Sequence, residues 1–207
     1  MTWVFHLTHM KNLGAIIEEG LSCCSSIASD GGPSVDIGYQ HIKDRRYTVP
    51  VPAAAAGVVA DYVPFYFATR SPMLYTIHKG NVPGYQGQRG LVYLVCNAEK
   101  LTTQILCCFT DGHAVMAMTA FFEDPGQIEE KLDWEVLRAI SWANTAEDSD
   151  RKRRRQAEFL AHRRVPWEMV EGIGVRDPAT KGHVENIVEG TGTKHRPPIA
   201  IKPGWYY

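Results

Sequence analysis

Hydrophobic positions along this chain change period several times, and each change marks a predicted element. Thr2–Thr8, TWVFHLT, is dense in β-branched and aromatic residues and predicts a strand. Leu13, Ile16 and Ile17 then recur at helical spacing, and Gly20 ends that helix. Residues 22–38 are rich in Ser, Gly and Asp with few apolar anchors, which predicts an irregular loop. YQHIKDRR predicts a short helix through Arg46, ended ahead of Pro50 and Pro52. VPFYFA predicts a strand, and Ser71-Pro72 an N-cap with proline at the first helical position, opening a helix to about His78. GLVYLVCNA predicts a buried strand, and residues 104–122 a strand-like pair with the Asp111-Gly112 turn in its middle. Over 124–140 the residues Ile128, Leu132, Val136 and Ile140 fall on one face of an amphipathic helix. After the polar break SWANTAEDSD, residues 151–167 begin basic and become strand-like. WEMVEGIGVRD predicts a strand, PATKGHVENIVEG a helix and PPIAIKPGWYY a last strand.

Strands and helices therefore mix without βαβ regularity, internal repeat or long linker. This predicts one α+β domain over residues 1–207 with a mixed or antiparallel sheet. The 207 residues are 44% hydrophobic and 22% charged, enough for a sizeable core. Net charge is −1, so any nucleic-acid reading must rest on a local patch. Cys23, Cys24, Cys96, Cys107 and Cys108 form no C-x-x-C, so they read as buried free thiols of a reducing compartment. The N-terminal stretch lacks a basic n-region and no window has the apolar length of a membrane span, so a soluble cytoplasmic protein is expected. G-x-G-x-x-G, Walker and G-x-S-x-G motifs are absent. His6 and His9 form H-x-x-H without the helical H-E-x-x-H context, so no metal is expected.

Several residues admit two readings. On a strand, His6 and Thr8 project together beside Val4, either as core-edge groups satisfying backbone or as part of a site. Arg45 and Arg46 beside Asp44 read from spacing as a solvated charged turn. DYVPFYFATRSPMLY sets aromatic residues ahead of Arg70, Ser71, Met73 and Tyr75; it is core packing ending in a cap, or a stacking and phosphate-binding surface. Arg151–Arg155 is the one strong charge block, close to Trp142 and Trp167; it is a solvated face or the footprint of single-strand binding. Glu158 follows that block, as its counter-ion or as a reacting group.

FHLTH with NL, then HIKDRR, DYVPFYFATRSPMLY, FTDGHAV, LDWE, RRRQAEFL and VPW occur in one order. That ordered set resembles the DarT family of DNA ADP-ribosyltransferase toxins, from about Val4 to the closing WYY. One departure is Ala53–Gly57, AAAAG, where family members often carry a Gly pair. The resemblance implies an ADP-ribosyltransferase-like domain whose mostly antiparallel sheet is split around an NAD⁺ cleft. It implies NAD⁺ as co-substrate, transfer of ADP-ribose to thymine (or guanine) in single-stranded DNA, and a macrodomain antitoxin, DarG, as partner. By motif, Glu158 and Arg46 align with catalytic residues. His6, Leu7, Thr8, Asn12, Leu21, Arg46 and Tyr66 fall on NAD-contacting segments. Arg70, Ser71, Met73, Tyr75, His113, Trp142, Lys152, Arg153, Arg154, Arg155 and Gln156 fall on DNA-contacting ones.

The chemistry suits these residue types. Breaking the nicotinamide–ribose bond develops positive charge on the ribose, which a carboxylate stabilises. An arginine, with a pKa above about 12, is a poor proton acceptor and a good electrostatic partner. A base must be unstacked to react, which favours single strands. Two other readings remain open: an ADP-ribosyltransferase acting on RNA or protein, and a non-catalytic single-strand-binding module.

Overall fold

Among the described residues ten strands carry the fold: β1 Trp3–His9, β2 Leu21–Ser22, β3 Tyr62–Tyr66, β4 Leu91–Asn97, β5 Cys107–Thr110, β6 Phe121–Phe122, β7 Glu158–His162, β8 Arg164–Val165, β9 Val170–Val175 and β10 Ile199–Ile201. The helices are α1 Leu13–Glu19, α2 Cys24–Ser29, α3 Gln40–Arg46, α4 Pro72–His78, α5 Ala98–Thr102, α6 Ile128–Lys131, α7 Trp134–Arg138, α8 Arg151–Arg154 and α9 Pro178–Gly190. These belong to a computed structural model, which describes residues 1–29, 33–83, 85 and 87–207.

Eight strands form one sheet in the order β10-β9-β4-β1-β3-β7-β5-β6, and β2 pairs with β8 apart from it. All neighbours in the large sheet are antiparallel except β9 and β10. β1 and β4 pair continuously from Trp3↔Asn97 to His9↔Leu91, and β3 and β7 from Tyr62↔His162 to Tyr66↔Glu158. Between β1 and β3 the ladder is a single pair, Phe5↔Tyr66. The sheet is thus two well-zipped halves meeting at a weakly laddered joint, the split that the resemblance implies.

Alternation along the strands sorts the core. One face carries Val4, Phe65, Val92, Phe109, Phe159 and Ile173 and is covered by α1 and α9 through Ile16, Ile17, Val184 and Val188. The other face is covered in two separate patches. Leu7, Leu91 and Tyr93 meet Leu74, Ile77 and Tyr206, while Tyr62, Cys108 and Leu160 meet Val51, Val59 and Ala114. The interval between these patches falls at the β1/β3 joint, where Tyr66 pairs with Phe5 on one side and with Glu158 on the other.

Three expectations change. Residues 22–38 are not one loop, because α2 occupies Cys24–Ser29; positions 30–32 of that stretch lie outside the described residues. The single helix over 124–140 is broken: Leu132 is extended at φ −92°, ψ 141°, and Asp133 caps a new helix by accepting from Val136 N. A capping aspartate competes with helix continuation, so Ile140 leaves the apolar face and is 88% exposed. Asp111-Gly112 opens a longer loop between β5 and β6 rather than a tight turn. In Ala53–Gly57, Ala54 and Ala56 adopt φ of 53° and 57°, left-handed values that glycine takes at lower cost. The Tyr62 hydroxyl secures this loop, donating to Ala56 O and accepting from Ala55 N.

Candidate active site

Glu158 starts β7, one strand from the joint, and is 2% exposed. Its backbone N donates to Thr110 Oγ1 at 3.0 Å, which ties it to β5. Its two carboxylate oxygens are divided between different elements. Oε2 accepts from Arg46 Nη1 at 2.7 Å, and Oε1 accepts from Ala114 N at 2.9 Å and His113 Nδ1 at 3.1 Å. Arg46 is the last residue of α3 and 6% exposed; a helix C-terminus favours a cation there. Burial alone would push the Glu158 carboxyl upward, but the Arg46 charge and the His113 hydrogen bond outweigh it and hold the carboxyl down at about 2. Burial works against the Arg46 cation as well, and the Glu158 charge overcomes it and raises its pKa.

This ion pair is incomplete on the arginine side. Arg46 Nε and Nη2 are buried with no protein partner. Two orphan donors on a buried guanidinium require acceptors. Tyr66, in register opposite Glu158, donates its hydroxyl to Met73 Sδ at 3.5 Å; burial first and the Glu158 charge next push its phenol up. His6 Nδ1 donates to Pro64 O at 2.7 Å, bridging the joint. Burial, helped by the Arg46 charge and opposed by that hydrogen bond, lowers His6 to about 4, so its ring is neutral near pH 7.

The other segments expected around a nucleotide are held in place by local contacts. Asn12 donates to Thr8 Oγ1 and Val35 O and accepts from Val35 N, which pins the stretch leading to α3. Leu7 and Leu21 are core residues; Leu21 pairs with Val165 beside Gly20, whose φ of +87° and 2.8 Å approach of a virtual Cβ to Val165 O exclude a side chain.

The candidate DNA contacts divide. Ser71 is buried and caps α4, accepting from Leu74 N. Met73 packs toward Tyr66, and Tyr75 stands exposed at 38% beside the half-buried Trp142, ring centroids 5.7 Å apart. Arg70 has a φ of 55° and donates through Nε to Tyr206 O. His113 faces Glu158. The basic run is not the open cationic face that its composition suggests. Arg153 pairs with Asp111 and Asp150, and Arg154 with Asp133 and Asp148. Arg155 is 5% exposed and donates to the carbonyls of Val136, Leu137, Ala139 and Thr69. Lys152 is exposed, half-buried Arg151 donates to Ser141 O, and Gln156 donates back to Lys152 O. Among the described residues no group of His, Cys, Asp or Glu could hold a metal ion, and no helix is long and apolar enough to cross a membrane.

Comparison with known proteins identifies the family of the whole chain. The family model for DarT, described as ssDNA thymidine ADP-ribosyltransferase, matches residues 5–207. The chain belongs to the DarT family. A DNA ADP-ribosyl transferase of Thermus aquaticus is 38% identical over 210 residues, covering 100% of this chain and 89% of that protein. Thermus sp. 2.9 DarT in complex with ADP-ribosylated ssDNA superposes with a TM-score of 0.91 at 34% identity, over 100% of this chain and 96% of that one. The same protein in complex with NAD⁺ gives 0.86 at 32% identity, over 100% and 98%. The mostly antiparallel single-domain fold agrees with the solved DarT structures.

Sequence reasoning missed Thr110 and the Ala114 amide, whose roles arise only when β5 and its following loop close on β7. It also missed Asp111 and Asp133 as partners of the basic run. The DSD directly ahead of that run was a usable signal for Asp148 and Asp150.

Proposed function

We propose that this DarT-family chain transfers ADP-ribose from NAD⁺ to the thymine base of single-stranded DNA, as the toxin of a pair whose antitoxin is the macrodomain protein DarG. The observation that carries the reading is the buried Glu158–Arg46 pair with its orphaned guanidinium donors. Arg46 leaves two buried guanidinium nitrogens unmatched, where Arg154 and Arg155, held by aspartates and by carbonyls, each leave one. A dinucleotide offers acceptors for the Arg46 donors in its diphosphate and ribose hydroxyls, so the residues present suit NAD⁺.

NAD⁺ supplies the glycosidic bond to nicotinamide, whose cleavage leaves positive charge on the ribose. Glu158 is ionised throughout the neutral range and stabilises that charge from a preorganised position. His113 and the Ala114 amide fix its orientation, so no reorganisation of the carboxylate is needed. Arg46 remains cationic and acts electrostatically, on phosphate or on the acceptor base as it loses its proton; it does not take the proton itself. The half-buried rings of Tyr66 and His6 border the joint and limit water.

Mass spectrometry of oligonucleotides incubated with protein and NAD⁺ tests this. Thymine-containing single strands gain one ADP-ribose, strands without thymine and RNA do not, and Glu158→Gln lowers the rate by about 10²–10³. Modification of guanine-only strands, of RNA or of protein would replace thymine by that acceptor. No adduct on any single strand would overturn the reading.

A further inference from the structure

Tyr207 sits where α4, the Trp142 segment and the Arg70 corner meet. Its hydroxyl donates to Arg70 O at 2.7 Å and accepts from Trp142 Nε1 at 3.0 Å. Its ring meets Tyr75 edge-on at 5.2 Å and lies tilted against His78 at 5.7 Å. The Arg70 guanidinium sits over the same ring at 5.2 Å. Its main chain is clamped at two points by buried Gln88, which donates to Tyr207 O at 2.7 Å and accepts from Tyr207 N at 3.0 Å. One side chain therefore joins α4, the segment after α7 and the left-handed Arg70 corner. Tyr75 is exposed while Trp142 and Tyr207 are half-buried, so ring surface reaches solvent, with Lys79 at 5.3 Å from the Tyr75 ring.

We propose that Tyr207 is a positioning residue for the DNA strand: it assembles Arg70, Tyr75 and Trp142 into one platform on which a base flanking the modified thymine stacks. Exposed aromatic faces beside cations are the chemistry of single-strand recognition. The platform connects to the reacting centre by two routes. Met73, two residues before Tyr75 on α4, takes the Tyr66 hydroxyl opposite Glu158. Arg155, three residues before Glu158, holds Thr69 O next to Arg70. An Arg with φ of 55° is strained backbone, kept there by the carbonyl contacts that Tyr206 and Tyr207 make. The inference rests on the proposed single-stranded DNA substrate.

The test compares wild type, Tyr207→Phe and Tyr207→Ala in the full chain. Readouts are KM for a thymine oligonucleotide, kcat, NAD⁺ affinity by calorimetry and quenching of 2-aminopurine placed beside the thymine. Tyr207→Phe keeps the ring and loses both hydroxyl bonds, so the oligonucleotide KM rises at least fivefold. Tyr207→Ala raises it further and abolishes the quenching. In both, kcat and NAD⁺ affinity stay within twofold of wild type, a split that a merely structural role would not produce. An unchanged oligonucleotide KM in both variants, with wild type active, overturns the platform and leaves the proposed function standing. Parallel loss of NAD⁺ affinity and oligonucleotide KM also overturns it, since Tyr207 would then support the whole domain. A wild type that binds NAD⁺ yet modifies no single strand overturns the proposed function instead.

Discussion

Glu158 and His6 titrate far from neutrality, in windows that can be separated. Glu158 sits at about 2 against an ordinary 4.5, so the unfolded chain takes up a proton that the folded one refuses. Its stabilising contribution is complete above pH 4.5 and is lost as pH falls toward 2. His6 sits at about 4 against 6.5, so the unfolded chain is favoured progressively as pH falls from 6.5 toward 4. His9 and His162 shift in the same direction, each through burial first. Urea midpoints followed by circular dichroism therefore fall between pH 7 and pH 5, before Glu158 titrates. His6→Gln can keep the hydrogen bond to Pro64 O without a titrating ring, so its decline over that interval is shallower. An identical decline in His6→Gln would refute the assignment. Of the two readings of His6, the structure shows the first: the ring satisfies a backbone carbonyl, Pro64 O, across the joint.

At the scale of elements, α8 and the residue after it act as a rivet. Arg155 gathers carbonyls from the end of α7 and from Thr69, so the Arg70 corner and the strand bearing Glu158 share one buried cation. Lysine offers a point charge in place of a planar fork. Arg155→Lys leaves buried carbonyls unmatched and costs about 3 kcal/mol. For a domain of this size that is a melting temperature lower by about 6–12 °C in calorimetry. Lys152→Ala, one turn away and exposed, leaves melting unchanged; equal effects from the two substitutions would refute the distinction. Elements with strong local signals were legible in the sequence. The α4 start at Ser71-Pro72, the α1 stop at Gly20 and the α3 end at Arg46 all fall where residue chemistry alone puts them. The break at Leu132-Asp133 was not legible, because four apolar residues at helical spacing outweighed one capping aspartate. Glu158 and Arg46 are separated by 112 residues, so spacing could not pair them. Only the ordered resemblance singled them out, and the packing of α3 against the sheet then brought them to 2.7 Å.

For the whole molecule, a net charge of −1 leaves no global field to gather a polyanion. Recognition of a strand must come from cations that are free locally, and the fold decides which those are. Five cations of Arg151–Arg155 all meeting phosphates would give a single-strand salt slope of about −3.5, at about −0.7 per phosphate. Arg153 and Arg154 are held by Asp111, Asp133, Asp148 and Asp150, and Arg155 by carbonyls. That leaves Arg151 and Lys152, and a contribution from this run of about −1.4. Fluorescence anisotropy of a labelled oligonucleotide across a salt series, variant by variant, separates the cases. Lys152→Gln and Arg151→Gln each make the slope shallower by about 0.7. Arg153→Gln and Arg154→Gln leave it unchanged and lower thermal stability instead. A shift at Arg153 as large as at Lys152 would mean that docking releases the arginine from its aspartates, making those ion pairs part of recognition rather than of the fold.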